Sequence, residues 1–402
     1  MTQAPVAPGH LFAQVLDPAS RSNPYPLYAR LRETPVSLQA DGTYVISTYR
    51  EISLLLHDPR ISSDERKGAH GASRLGEEPP FIFTDPPEHT RLRRLIMHQF
   101  TPQRIAGMRE HIEHTIHALL DAKKQQRQFD LVQDFAYPLP VTIICRLLGV
   151  PPEDEPRFRG WSSDLVRTLD PKESLSEAEM QQAVQSRTEL RAYLAELSAT
   201  RRAHPQDDLL SGLVSGDDSD GRLPESDLLA TMELLLIAGH ETTVNLIANS
   251  MLTLLRHPEV FARLRHHPDL AILTVEEVQR YDPPVQFRTR TTLADVPIAG
   301  VTIPQGASVV LLFAAGDRDP VRFVDPERFW PERDDNEHLG FGSGDHYCVG
   351  APLARLEVVT ALKALARRLE APRLVTDPPP YRKNAALRGP EHLLIAFAEL
   401  NN

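Results

Sequence analysis

The 402-residue sequence has little cysteine, no long apolar run and no excess of positive charge. Each shortage removes a class of protein. Two cysteines, Cys145 and Cys348, are too few for a disulfide framework and for the several-cysteine sets of zinc and iron–sulfur centres. No stretch of about eighteen apolar residues occurs, so no membrane-spanning helix is expected. Even Leu234-Leu235-Leu236-Ile237-Ala238 breaks off within a turn or two. Residues 1–21 carry no charged segment followed by an apolar run, so no secretory signal is expected either. A net charge of −11 argues against a nucleic-acid partner. Hydrophobic residues still make up 41%, enough for a substantial core.

Proline is abundant, at 35 residues, and cuts the chain into many short segments, as suits a helical protein rich in loops. The most informative stretch is Phe341-Gly342-Ser343-Gly344-Asp345-His346-Tyr347-Cys348-Val349-Gly350. Gly342, Gly344 and Gly350 let the backbone turn tightly and approach a ligand closely. The helical pattern from Ala351 to Arg368, with Pro352 in its first turn, places Cys348 just before a helix N-terminus, where a thiolate is favoured. One thiolate suffices for haem, because the porphyrin supplies the other four ligands. Cys145 lies in the apolar run Val141–Val150 and reads as core.

Periodicity also predicts a long helix over Asp227–His257, capped by Ser226 and stopped by Pro258. Ala238-Gly239-His240-Glu241-Thr242-Thr243 interrupts its apolar middle, and a threonine hydroxyl there can bond back one turn and bend the helix. His89 and Arg93 share one helical face, as do Glu277 and Arg280. Thr43–Ser47 and Val296–Gly306 read as strand and hairpin, and Ile61–Pro80 as a mobile loop.

The decamer around Cys348, the Ala238–Thr243 segment, Glu277-x-x-Arg280 and the His89/Arg93 pair, in this order and spacing, resemble the cytochrome P450 family, in its soluble bacterial form. The resemblance implies a mainly α fold with small β-sheets, a single unit over residues 1–402 with a loosely ordered segment 1–22, and haem between the long helix and the cysteine loop. The cofactor implied is haem b (iron protoporphyrin IX), with Cys348 as its metal ligand. His89, Arg93, Arg290 and His346 would hold it at its edge, and Phe341, Gly342 and Gly350 would cradle it. Ala238 and Gly239 would leave room for dioxygen, Thr242 would hydrogen-bond to it, and Glu241 would relay protons. Glu277, Arg280 and Arg328 would form a buried network supporting the cysteine loop. Phe81, Phe83, Leu235, Val285, Phe287 and Leu387 would line the substrate pocket. Gly316-Asp317 departs from the family's more usual Ala-Asn before Arg318-Asp319-Pro320, which leaves the loop geometry there open.

The activity implied is a haem-thiolate monooxygenase that inserts one oxygen atom of O2 into an apolar small molecule, a polyketide-like natural product first, a steroid, terpenoid, fatty acid or aromatic compound otherwise. Electrons would come from a separate ferredoxin or flavodoxin with its reductase, and the protein would be a cytoplasmic monomer without membrane or nucleic-acid partners. A peroxide-driven peroxygenase is the nearest alternative, set back by the Glu241/Thr242 pair. A haem-based sensor comes last.

Overall fold

The structure is a computed structural model that describes all residues except 1–7, 70–78, 99, 171–174 and 216–222. Its centre is the helix Glu225–Arg256. From Val244 to Leu254 nearly every side chain is buried, apolar and polar alike, which marks a helix surrounded by protein on all sides. It packs against Pro138–Leu148, Glu177–Ala203, Leu270–Tyr281 and Ala351–Arg368, the last of these being the cysteine helix. The stop before Pro258 is where the sequence places it, and that proline opens the next helix, Pro258–His266. The start differs. Pro224 occupies the capping position without a side-chain hydrogen bond, and Ser226 lies inside the first turn.

A five-stranded sheet stands beside this helical body in the order Val36–Leu38, Tyr44–Ile46, Ser308–Leu311, Arg288–Thr292, Ile61–Ser62. Its one parallel pairing joins Tyr44–Ile46 to Ser308–Leu311. Register sets Arg288 opposite Leu311 and Arg290 opposite Val309. Side chains alternate along a strand, so these two arginines share a face. The expected hairpin is present as Val296–Ile298 paired with Val301–Ile303. Its turn carries Ala299 at φ 47° and Gly300 at φ 78°.

Two expectations are corrected here. Residues 8–22 are not loosely ordered: they form short helical turns, and Leu11, Phe12 and Val15 are buried in a cluster with Phe287. Burial of these three apolar side chains holds the segment down. The segment read as a mobile loop begins with a paired strand, Ile61–Ser62, and a helical turn, Glu65–Lys67. Its stretch 70–78 lies outside the described residues. No helix of the described residues is long and apolar enough to cross a membrane.

Candidate active site

A cavity opens between the long helix and the cysteine loop, with about 1440 Å³ of space free of atoms, its open mouth included. Cys348 lines one side, and Ala238, Gly239 and Thr242 line another.

The cysteine loop owes its shape to two glycines. Gly342 and Gly344 have φ near 70° (70° and 67°), which side chains resist, and a Cβ on Gly344 would stand 2.6 Å from the carbonyl oxygen of Leu56. Gly350 has an ordinary φ of −81° and precedes the cysteine helix; a Cβ there would lie 4.0 Å from the Cys348 sulfur. Burial pushes the Cys348 thiol up, opposed by the backbone N–H groups of Gly350 and Ala351 and by the charges of Arg93 and Arg355. Those N–H groups are the helix-terminus donors expected from the sequence, and that of Ala351 also donates to the Cys348 carbonyl at 3.4 Å.

Arg355 braces this loop. It donates to both carboxylate oxygens of Glu276, at 2.7 and 2.8 Å, and to Tyr347 Oη at 3.1 Å, and it lies 4.4 Å over the Phe341 ring. Desolvation would raise the Glu276 carboxyl, but its bonds to Arg355 and His338 hold it at about 2.

At one edge of the cavity stand His89, Arg93, Arg290 and His346. The His89 and His346 rings are 4.1 Å apart. Neither ring nitrogen of His89, nor Nδ1 of His346, has a hydrogen-bond partner, although all are buried. Arg93 donates to the carbonyl of Tyr347 at 2.7 Å and Arg290 to that of Thr289 at 2.9 Å. Burial lowers all four, Arg290 to about 10 and His346 to about 3. Buried donors facing a cavity with few anions are what a group carrying two carboxylates would satisfy. Haem fits this set: a lone cysteine sulfur on one side, and at the edge two arginines beside imidazole nitrogens without partners.

On the opposite wall, Thr242 Oγ1 donates to the Ala238 carbonyl at 2.9 Å and Thr243 Oγ1 to the Gly239 carbonyl at 3.2 Å. A Cβ on Gly239 would stand 2.9 Å from Cδ1 of Ile144, so this glycine also lets the helix Pro138–Leu148 approach closely. Glu241 is elsewhere. It is buried, it does not line the cavity, and it pairs with Arg382 and, at 3.6 Å, with His240 Nε2. Those partners outweigh desolvation and hold its carboxyl at about 2.

Arg328 is corrected. Glu277 and Arg280 form a fully buried bidentate pair, both contacts 2.8 Å, but Arg328 contributes only its carbonyl, at 3.2 Å from Arg280. Its side chain is exposed and stacks 5.1 Å over Trp330. The second arginine beside Glu277 is Arg333, at 3.5 Å. Phe287 is also corrected. It packs edge-to-face on Phe12 at 5.4 Å and does not line the main cavity, because it points to the strand face opposite Arg288. Phe81, Phe83, Leu235 and Val285 do line it, and Leu387, bridged to Val285, lines an adjoining chamber. The sequence reading did not single out Arg288, Arg333 or Arg382 for this site; Arg333 and Arg382 are lone arginines in loops without a spacing signal, whereas strand alternation from Arg290 could have found Arg288. At the Gly316-Asp317 departure, Asp317 is buried, and its carboxylate accepts from the Leu339 N–H at 2.7 Å just before the cysteine loop.

A mainly helical body with one cysteine facing such a cavity defines the class of haem-thiolate proteins. The family model described as Cytochrome P450 matches residues 34–397. The chain is 39% identical over 387 residues to Cytochrome P450 107B1 of Saccharopolyspora erythraea, covering 92% of this chain and 93% of that protein. It is 34% identical over 397 residues to Polyketide biosynthesis cytochrome P450 PksS of Bacillus subtilis, covering 94% and 96%. The ligand-free crystal structure of Mycobacterium smegmatis CYP164A2 superposes with a TM-score of 0.91 at 43% identity, over 96% of this chain and 100% of that one. The chain belongs to the cytochrome P450 family. It is a haem-thiolate monooxygenase, an oxidoreductase that works with O2 and redox partners.

Proposed function

We propose that the cavity holds haem b through Cys348 and that the enzyme oxygenates an apolar natural product, polyketide-like in its carbon skeleton. The observation that carries the reading is Cys348, placed just before the N-terminus of the helix Ala351–Arg368 and lining the same cavity as Ala238, Gly239 and Thr242. Bound there, haem with a thiolate ligand supplies the activation of O2. His89, Arg93, Arg290 and His346 would hold its carboxylates, Phe341, Gly342 and Gly350 would cradle it, and Glu277, Arg280 and Arg333 keep the preceding loop in place. Thr242 presents a hydroxyl that can donate into the cavity once it leaves the Ala238 carbonyl. Glu241 reaches the same place only by releasing Arg382, so opening of that ion pair would precede any proton relay through Glu241.

The polyketide-like substrate is supported by the relative whose name places it in polyketide biosynthesis and by the apolar wall of Phe81, Phe83, Leu235 and Val285. Residues 1–402 act as one unit, a cytoplasmic monomer reduced by a ferredoxin or flavodoxin with its reductase. Cys348→Ala is expected to abolish the red-shifted absorption band of the reduced carbonyl complex that marks thiolate-bound haem. Retention of that band in the variant would refute the ligand assignment.

A further inference from the structure

Among the described residues no group hydrogen-bonds the Arg288 guanidinium and no carboxylate forms an ion pair with it, although Asp64 and Glu65 line a smaller cavity beside it; burial lowers it, opposed by the charge of Cys348. Its neighbours' charges are spoken for. Arg290 donates to Thr289, Asp64 pairs with Arg66 at 2.7 Å, and Glu233 is held by Arg187 and Arg191 at 2.9 and 2.8 Å. Arg288 borders both the main cavity and the adjoining chamber, whose walls include Leu165, Leu169, Leu234, Ile237 and Leu387. None of His89, Arg93, Arg290, His346 or the cysteine loop borders that chamber. Arg288 is half-buried, and a guanidinium partly withdrawn from water against apolar walls is favoured where an anion meets it.

We propose that Arg288 anchors a substrate carboxylate, so that the substrate is a long apolar molecule with one acidic end, its head on Arg288 and its chain along the leucine-lined chamber. The inference rests on the haem-thiolate reading above and narrows its substrate class. A carboxylate suits the site because the planar fork of one arginine matches it in shape and charge, whereas a phosphate dianion would bring a second charge into apolar surroundings without a cation to meet it. The four donors at the cavity edge already suffice for the two carboxylates of haem.

The test is calorimetric binding of decanoic acid and of 1-decanol to the haem-loaded wild type, R288Q and R288K. The wild type is expected to bind the acid at least ~10-fold more tightly than the alcohol, R288Q to lose that preference with alcohol affinity within about twofold, and R288K to keep part of it. Equal affinities in the wild type, or an unchanged preference in R288Q, would overturn the inference. Loss of haem from R288Q, read as haem content, would overturn it too, by making Arg288 a holder of haem instead. Absence of the thiolate band in the wild type would overturn the underlying reading, and this inference with it.

Discussion

At residue 241 a buried carboxylate is kept ionised by two neighbours, and the consequence is measurable. Glu241 has a folded-state value of about 2, below the ~4.3 of an unfolded glutamate. Its stabilising contribution is therefore complete above about pH 4.3 and is lost as pH falls through about 2. Two units correspond to roughly 3 kcal/mol. Arg382→Ala leaves the carboxylate buried beside only His240 and the Ser162 hydroxyl among its described partners, so we expect destabilisation of about 3 kcal/mol near neutral pH. The gap between variant and wild type should close as the solution is acidified towards pH 2, because a protonated Glu241 no longer needs the arginine. Urea midpoints at a series of pH values decide the point; a gap that stayed constant would mean that Arg382 acts through packing alone. The sequence shows Glu241 and Thr242 side by side in a helix but gives no sign of Arg382, which comes from a loop 141 positions later. Partners supplied by distant loops leave no spacing to read.

The elements that hold the cysteine loop show what periodicity can and cannot reach. Glu277 and Arg280 sit three apart on one helix, so their pairing is legible as soon as the helix is. The third member comes from 326–333, an irregular stretch with no period to assign its side chains. Arg328 and Arg333 are both arginines near its prolines, and burial separates them: Arg333 is 8% exposed and faces Glu277, while Arg328 is exposed. Arg333→Ala is expected to cost about 1–3 kcal/mol, as for loss of a buried charged contact, and to hasten haem loss. Arg328→Ala should stay within about 0.5 kcal/mol, because the network uses its carbonyl and its exposed side chain stacks on Trp330. Comparable destabilisation by both, measured by thermal unfolding of the haem-loaded proteins, would count against this assignment. Likewise Phe287 was legible as an apolar residue next to the site, but which strand face it takes depends on register, and register places it on Phe12.

Across the whole molecule, the cavity divides two unequally secured regions. The second half of the long helix is buried among Leu270–Tyr281, Pro258–His266 and Ala351–Arg368, and needs no ligand to complete its packing. The segments Phe81–Phe83, Glu88–Met97 and 341–350 instead face the cavity, and they carry the unpaired nitrogens of His89 and His346. Haem binds the folded chain and not the unfolded one, so its removal must lower stability by mass action, and the orphaned donors then compete for water. We expect the haem-free protein to unfold roughly 5–10 °C lower, from the few kcal/mol that tight ligands contribute. The loss should be local before it is global. Hydrogen exchange is expected to rise strongly in Glu88–Met97 and around Cys348 while Val244–Leu254 keeps its protection, because only the former elements lose a packing surface. Uniform loss of protection along the chain would mean that haem organises the entire core, and that the long helix is stable only because a ligand stands against its middle.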